Sequence, residues 1–224
     1  LEKQHESIRT ASLGSLGEIG DFRATDPLIA IAASESDPHR MYAMEALGKL
    51  GDPRGAQLLV QTLGHDKWNI RKCAERSLES MGASAADALM TGLKNSKRDV
   101  ITKSSLLLGK LKERRAVPQL IDLLSHISEF VRCDAAKALG MIGDARAHGP
   151  LLKLLRSPDT YPRQHVVEAL GQVGGTQTVE PLIEALKDPT GEVRRAAACA
   201  LGRLKDRRAV AALLTLLKDE SYYV

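Results

Sequence analysis

The feature that most constrains this chain is a period of about 31 residues that runs through its whole length. A glycine column marks the register, at Gly17, Gly48, Gly109, Gly140, Gly171 and Gly202. Glu79 takes the place of the glycine in the third copy. An arginine column keeps the same intervals, at Arg9, Arg40, Arg71, Arg132, Arg163 and Arg194. A period of this length indicates supersecondary units that stack and contact only their neighbours.

Each copy has the pattern of two amphipathic helices. In the last copy, Val210, Leu213, Leu214 and Leu217 form one apolar stripe at helical spacing, and a second helix is expected from Val193 to Leu204. Hydrophobic residues make up 43% of the chain but aromatic residues only 3%, which favours closely packed helices built from Leu, Ile, Val and Ala over a sheet. The sequence therefore predicts an all-α, right-handed α-solenoid of about seven repeats, with residues 1–224 as a single array.

The repeat motif resembles that of a known family. Val-Arg-x-x-Ala-Ala-x-Ala-Leu-Gly-x-Leu, then Asp-x-Arg-Ala-Val, then Leu-Leu-x-Leu-Leu is similar to the short prokaryotic HEAT repeat, the type also found in phycobilin lyase subunits. The resemblance covers essentially the whole chain and is specific for the fold. It implies a scaffold whose second helices line a concave face, but one fold serves many functions.

Other features of the sequence predict where the protein is located and whether the chain is part of a longer protein. No apolar run approaches the roughly 20 residues that cross a bilayer, and the N-terminus does not resemble a signal peptide. The three cysteines, Cys73, Cys133 and Cys199, lie in different repeats and are expected too far apart to pair, so we expect a reducing, cytoplasmic location. Because the array begins and ends within a repeat, we expect a fragment of a longer protein.

Outward positions on the second helices are the natural candidates for binding a partner, together with an aromatic residue just before one of these helices. Apolar or charged groups there are the better contact candidates. The predicted partner-binding residues are Met41, Tyr42, Trp68, Lys72, Arg76, Lys103, Leu106, Lys137, His165 and Arg195. Most of the aromatic residues, Trp68, Phe130, Tyr161, Tyr222 and Tyr223, come just before a second helix, either as a rim of contact anchors or as packing against the neighbouring turn.

Charge concentrates in the middle of the chain. Residues 67–115 hold 12 basic and 5 acidic side chains, whereas the whole chain has a net charge of +4. This block coincides with the least regular repeats, where Glu79, Ala83 and Ala85 replace the usual Gly, Asp and Arg. A local departure from a repeat pattern often marks function, although drift explains it as well. The positive electrostatic potential of this basic block would attract a protein partner with an acidic surface.

The column arginines would form a basic stripe if they were exposed. They recur in step with the Asp-x-Arg turns, such as Asp52-Arg54 and Asp144-Arg146. This coupling favours a structural role, in which they form charge and carbonyl contacts between adjacent repeats.

The remaining function classes are less well supported. The histidines form no i, i+4 metal pair, there is no glycine-rich phosphate loop, and no residue suggests a bound cofactor, which argues against an enzyme. Deoxyhypusine hydroxylases of the HEAT-like type hold iron with adjacent His-Glu pairs inside second helices, but His165 is followed by Val166. A bilin lyase or isomerase subunit and a nucleic-acid-binding module remain alternatives, the latter disfavoured by flanking acidic segments and few aromatics. The sequence thus favours a non-catalytic protein-binding scaffold.

Overall fold

The computed structural model describes residues 2–156 and 160–219, with the side chains of residues 7–156 and 163–219. Within these ranges every regular element is helical. The α-helices are α1 (Glu2–Ile19), α2 (Thr25–Ala33), α3 (Arg40–Leu50), α4 (Pro53–Thr62), α5 (Trp68–Met81), α6 (Ala86–Gly92), α7 (Arg98–Lys110), α8 (Val117–Leu123), α9 (Glu129–Ile142), α10 (His148–Leu155), α11 (Thr160–Val173), α12 (Val179–Ala185), α13 (Gly191–Leu204) and α14 (Val210–Thr215). The predicted all-α solenoid is confirmed.

The chain forms two compact units, residues 1–107 (unit 1) and residues 108–224 (unit 2), and the division falls within α7. In unit 1, the second helices α1, α3 and α5 pack side by side, and the first helices α2, α4 and α6 form a second layer against them. Unit 2 repeats the pattern, with α9, α11 and α13 in one layer and α8, α10 and α12 in the other. Each unit is therefore a two-layer stack of helices.

The core of each unit is built from leucine and alanine. Leu47 and Leu78 of two second helices in unit 1 are completely buried, as is Leu59 of the first helix α4. In unit 2, Leu139 and Leu170 hold the same positions. Burying one leucine contributes about 2 kcal/mol, so a leucine repeated at one position in every copy stabilises the whole stack.

The glycine column exists because the second helices approach each other closely. A Cβ atom on Gly140 would lie 2.8 Å from the Cα of Ala169 on α11, and one on Gly48 would lie 2.8 Å from the Cα of Ser77. Only glycine leaves room for the neighbouring backbone at this distance. The column that revealed the repeat is thus the packing contact between successive second helices.

Where they occur, the Asp-x-Arg turns join a second helix to the next first helix and also link adjacent repeats. Oδ1 of Asp52 accepts a hydrogen bond from the backbone N–H of Arg54 at 3.0 Å. The Arg54 guanidinium donates to Asp52 at 2.7 Å and to the carbonyl of Phe22, 32 residues upstream, at 3.0 Å. In unit 2, Arg146 donates in the same way to Asp144 and to the carbonyl of Arg114.

Candidate protein-binding site

Three of the predicted binding residues come together in unit 1, where α5 and α7 follow one another in the layer of second helices. Trp68 and Lys72 of α5 and Lys103 of α7 line one cavity of about 190 Å³. The sequence places Lys72 and Lys103 on the outward face of consecutive second helices and Trp68 just before the first of them, without showing that the three share a site. Their grouping makes this cavity the strongest candidate site among the described residues of unit 1.

The carboxylate of Glu75 holds the two lysines of this cavity in place. Nζ of Lys72 and Nζ of Lys103 each lie 3.3 Å from Oε2 of Glu75. The Glu75 side chain is only 12% exposed, whereas those of Lys72 and Lys103 are 37% and 42% exposed. Burial raises the pKa of Glu75, but the charges of Lys103 and Lys72 and their hydrogen bonds outweigh it, so the pKa lies below its ordinary value. We call Lys72, Glu75 and Lys103 the charged triad.

Sequence reasoning missed Glu75, although a signal was present. In the repeat register, Glu75 occupies a position that holds Met44, Ser105, Ala136 and Val167 in other copies. All four of these side chains are buried. A carboxylate in an otherwise apolar or small column departs from the pattern as clearly as the loss of the glycine at Glu79 does. Reading every column, and not only the conserved marks, would have found it.

Trp68 stands at the edge of the cavity as an exposed apolar surface. The residue is 69% exposed, although its indole is a large, mostly apolar ring that proteins usually bury. Phe130, one repeat position further along at the start of α9 in unit 2, is also exposed, at 47%. For these two residues, packing against the neighbouring turn covers at most part of the ring. The side chains of Tyr161, Tyr222 and Tyr223, which completed the predicted rim, lie outside the described residues.

The other predicted residues of unit 1 flank the triad on the same layer of helices. Tyr42 of α3 is exposed, and its ring centroid lies 6.3 Å from that of His39. Met41 is half-buried, and its sulfur accepts a contact from the Asn69 side chain at 3.7 Å. Arg76 of α5 is exposed.

Leu106 of α7 is half-buried and apolar, as Met41 is. It therefore offers only part of its side chain to a partner.

Two of the three predicted residues of unit 2 contact a carboxylate on their own helix. Nζ of Lys137 lies 3.3 Å from Asp134 on the same helix. Nδ1 of His165 lies 3.4 Å from Glu168, whose pKa is lowered chiefly by the hydrogen bond from His165. Arg195 is exposed on α13. These side chains present a mixed surface of both signs in place of a uniform basic one.

The repeat pattern predicts that the positions two, three and six residues after the valine column of each second helix (Val193 in α13) face outward, but some of these positions are buried. Cys73 and Cys133 are 4% and 2% exposed, and burial raises the pKa of each thiol to about 11. Thr102 and Ala196 are also buried. The reason is that the second helices pack against two neighbours, so the outward strip is narrower than three positions per helix. A thiol with such a raised pKa is unreactive at neutral pH.

The column arginines act within the fold, as their coupling to the Asp-x-Arg turns favoured. Arg194 donates to the carbonyl of Asp188 at 2.9 Å and to the carboxylate of Asp219 at 2.8 Å. Arg163 donates to the carboxylate of Asp188 at 2.9 Å. Each arginine thus joins a second helix to a turn of its own repeat or of the following one, and this basic column is unsuited to serve as a partner surface.

Two features bear on other functions. The described residues contain no group of three or more His, Cys, Asp or Glu side chains that could hold a metal ion. Within residues 2–156 and 160–219, no helix combines the length and the apolar character needed to cross a bilayer.

Known proteins with the same repeat and the same fold agree with this architecture. The sequence matches the family described as HEAT repeats over residues 25–107, 105–156 and 149–224. The chain belongs to the HEAT-repeat family. No curated protein matches it. Its structure is similar to the complex of CpcE and CpcF of phycocyanin lyase from Nostoc sp. PCC7120, with 26% identity and a TM-score of 0.58 over 74% of this chain and 71% of that chain.

Two further HEAT-like or armadillo-like structures support the fold alone, because their identities are low. A mutant of Kap121p is 14% identical, with a TM-score of 0.67 over 94% of this chain and 30% of that chain. A designed armadillo repeat protein in complex with the peptide (KR)4 is 18% identical, with a TM-score of 0.53 over 80% of this chain and 98% of that chain. The HEAT-repeat solenoid is a fold suited to protein interaction.

Proposed function

We propose that the chain is a non-catalytic protein-binding module and that the second-helix face of unit 1 binds an acidic segment of its partner. The observation that carries this proposal is the exposed Trp68 indole beside the charged triad in one cavity. An apolar anchor next to ordered cations is the combination that interface hot spots use.

The charged triad suits an acidic group because its lysines retain donors. An ammonium group has three N–H donors, and the structure gives each lysine one acidic partner within the triad, Glu75. A carboxylate of the partner would therefore bind beside Glu75 or displace it. The exposed Arg76 adds a further positive charge on the same helix. With two lysines against one carboxylate, the triad itself has a net positive charge.

Trp68 would supply most of the apolar contact in this complex. Covering an exposed indole removes a large apolar area from water, at little cost in side-chain entropy. The neighbouring Met41, Tyr42 and Leu106 would extend the apolar part of the surface. Lys137, His165 and Arg195 would provide further contacts on unit 2, as the sequence predicts.

The first test is capture of partners by the Trp68→Ala variant. The purified chain, wild type or variant, is incubated with lysate of its source organism, and the retained proteins are identified by mass spectrometry. We expect the variant to lose the specifically retained protein, because truncating a hot-spot anchor costs about 2 kcal/mol or more. Phe130→Ala is the matched control, since it removes an exposed aromatic from unit 2.

A second variant tests the charge of the partner. Reversing Lys72, Arg76 and Lys103 to Glu should abolish retention of an acidic protein, while circular dichroism should show an unchanged helical fold. Retention of the same proteins by the wild type, the Trp68 variant and the reversed-charge variant would refute the proposal.

A bilin lyase or isomerase subunit is the second candidate, favoured by the 26% identity to the chain in the CpcE and CpcF complex. A change in the visible absorption of an open-chain tetrapyrrole when the purified chain is added would support it. An unchanged absorption spectrum would argue against the bilin lyase function and favour the protein-binding one.

A further inference from the structure

The layer of first helices contains a groove in unit 2. In unit 1, α2 packs against α4 and α4 packs against α6. In unit 2, a cavity of about 650 Å³ lies between α8 and α10. Its walls combine one acid and one base with apolar side chains, and these residues are Asp122, Lys153, Ile121, Leu124, Pro150 and Leu154. We call this cavity the first-helix groove.

Short side chains on α10 explain why the groove is open. Gly149 and Pro150 occupy the repeat positions that hold Gln57 and Leu58 in α4. A Cβ atom on Gly149 would meet no neighbouring atom within 4 Å, so the space beside the helix is empty there. Leu58 is half-buried, which shows that a larger side chain at the position of Pro150 can be covered by its neighbours. The gap therefore follows from the sequence of α10.

An almost fully exposed apolar side chain lies beside this groove. Ile127 follows Ser125 of the groove wall by two residues and is 95% exposed, more than any other large apolar residue that the structure describes. Hydrogen bonds fix its turn. The N–H of Ser128 donates to Nδ1 of His126 at 3.0 Å. Arg132 donates to the carbonyl of Ile127 at 3.1 Å.

The groove and Ile127 together make an apolar patch on an ordered part of the backbone. Patches of this kind mark interaction sites, whereas a single exposed apolar residue is common on any surface. Because the turn is already fixed, little conformational entropy would be lost when a partner covers it.

The groove carries one charge of each sign, on opposite walls. Asp122 of α8 and Lys153 of α10 are both exposed. Neither takes part in the ion pairs formed among the described side chains of residues 7–156 and 163–219. The lining has no net charge, so two copies of it would not repel each other. One available acid and one available base can pair with a second such groove that is turned around.

We propose that this face of unit 2 binds a second copy of the same chain in a two-fold symmetric dimer. Every contact of such a dimer occurs twice, so the surface has to be complementary to itself. The first-helix groove meets this condition, because Ile127 of one copy can enter the groove of the other. Asp122 of each copy then faces Lys153 of the other. A partner surface of a single charge would repel one of these two residues.

This inference goes beyond the proposed function, since it concerns the first helices of unit 2 and not the second helices of unit 1. Exposed ion pairs contribute little affinity by themselves. The apolar contacts of Ile127 would therefore supply most of the affinity, and the two ion pairs would fix the orientation of the copies.

Sedimentation velocity of the purified chain tests the dimer. The wild type should change from monomer to dimer as its concentration rises through the micromolar range. Ile127→Asp should weaken the dimer at least about tenfold, because it places a carboxylate against each apolar groove. Leu217→Asp is the matched control, since Leu217 is 81% exposed elsewhere in unit 2. It should dimerise like the wild type, as should Trp68→Ala.

A charge swap tests whether the ion pairs form between copies. Asp122→Lys and Lys153→Asp should each weaken the dimer at least about tenfold, because each places like charges opposite one another twice. The double variant Asp122→Lys/Lys153→Asp should regain wild-type dimerisation, since the two charges only exchange places. Both positions are exposed, so circular dichroism should show an unchanged helical fold. Glu184→Lys makes the same change at an exposed position outside the groove and should have no effect.

Three results would overturn the proposal. The first is a wild type that stays monomeric at every concentration. The second is a double variant that dimerises no better than the single ones. The third is a dimer that Leu217→Asp abolishes and Ile127→Asp does not, since the copies would then associate through another surface. Partner capture through Trp68 is measured separately, so the proposed function can stand or fail independently of the dimer.

Discussion

At the scale of single residues, Glu75 matters for the binding surface more than for the stability of the fold. A buried ion pair can be replaced by an apolar side chain of similar volume with little loss, provided no charge is left buried. Lys72 and Lys103 are 37% and 42% exposed and would remain solvated without Glu75. Met44 fills the equivalent position in the preceding repeat and is completely buried. The position of Glu75 could therefore hold an apolar side chain of similar size, although it holds a carboxylate.

The Glu75→Met variant tests this view. Its free energy of unfolding in urea should stay within about 1 kcal/mol of the wild type, because methionine restores the apolar column and both lysines stay hydrated. A loss of about 3 kcal/mol or more would mean that Glu75 serves the fold and not the surface.

Asp52 gives the fold a defined dependence on pH. Hydrogen bonds from Arg54 lower its pKa to about 2, with further help from Thr25, whose hydroxyl donates to it at 2.6 Å. Since the folded pKa is below the unfolded one, the ionised form stabilises the fold. This contribution is complete above about pH 4 and is lost as the pH falls toward 2.

We expect Asp52→Asn to lower the stability at pH 7 by about 1–2 kcal/mol, because asparagine keeps the cap but loses the charge-assisted bonds. The difference from the wild type should shrink as the pH falls from 4 to 2, as measured by denaturant unfolding at each pH. Asp26→Asn is the control, since Asp26 also contacts Arg54 but is 78% exposed. A constant difference at all pH values would contradict the assignment.

At the scale of elements, the packing of second helices reverses the usual effect of replacing glycine in a helix. Alanine is favoured over glycine by about 1 kcal/mol in a helix interior. At Gly140, however, the new Cβ would lie 2.8 Å from the backbone of Ala169, so α9 and α11 would have to move apart. Gly140→Ala should therefore destabilise the protein by about 1–3 kcal/mol.

Gly14→Ala is the matched control for this variant. Gly14 lies within α1, and a Cβ there would meet no atom within 4 Å. Its replacement should raise the thermal unfolding midpoint. Stabilisation by both variants would show that the close approach of α9 and α11 does not constrain the fold.

The third turn has been rebuilt, which explains why its sequence lacks the repeat marks. Its 3₁₀ helix, Gly82–Ala85, is one residue longer than those of the other Asp-x-Arg turns, and Gly82 has φ of 57° and ψ of −131°. Ala85, in the position of the exposed Arg54, is completely buried. The departure is thus a different structure and not only drift in sequence.

Restoring the consensus should therefore harm the protein. The variant Ala83→Asp/Ala85→Arg recreates the usual marks, but it places the bulky, charged arginine side chain at a position that is completely buried in this turn. We expect a loss of about 2 kcal/mol or more in urea unfolding. Ala83→Asp alone is the control, since Ala83 is exposed. Stabilisation by the double variant would mean that the third turn can return to the common form.

At the scale of the whole molecule, the sequence was most informative where every repeat has the same constraint. The glycine column, the Asp-x-Arg turns and the leucine stripes predicted the helices and their order because each mark reports a contact made once per repeat. The charged triad was missed because it depends on one residue, Glu75, and on the packing that brings Lys103 beside it.

The single tryptophan allows binding at the charged triad to be followed directly. Trp68 is the only indole in the chain, lies in unit 1 and is 69% exposed. A partner segment that covers the charged triad should shift the Trp68 emission to shorter wavelength, because the indole leaves water. If a labelled acidic octapeptide binds the chain, as its fluorescence anisotropy shows, while the Trp68 emission stays unchanged, acidic segments bind elsewhere and the assignment of the triad fails.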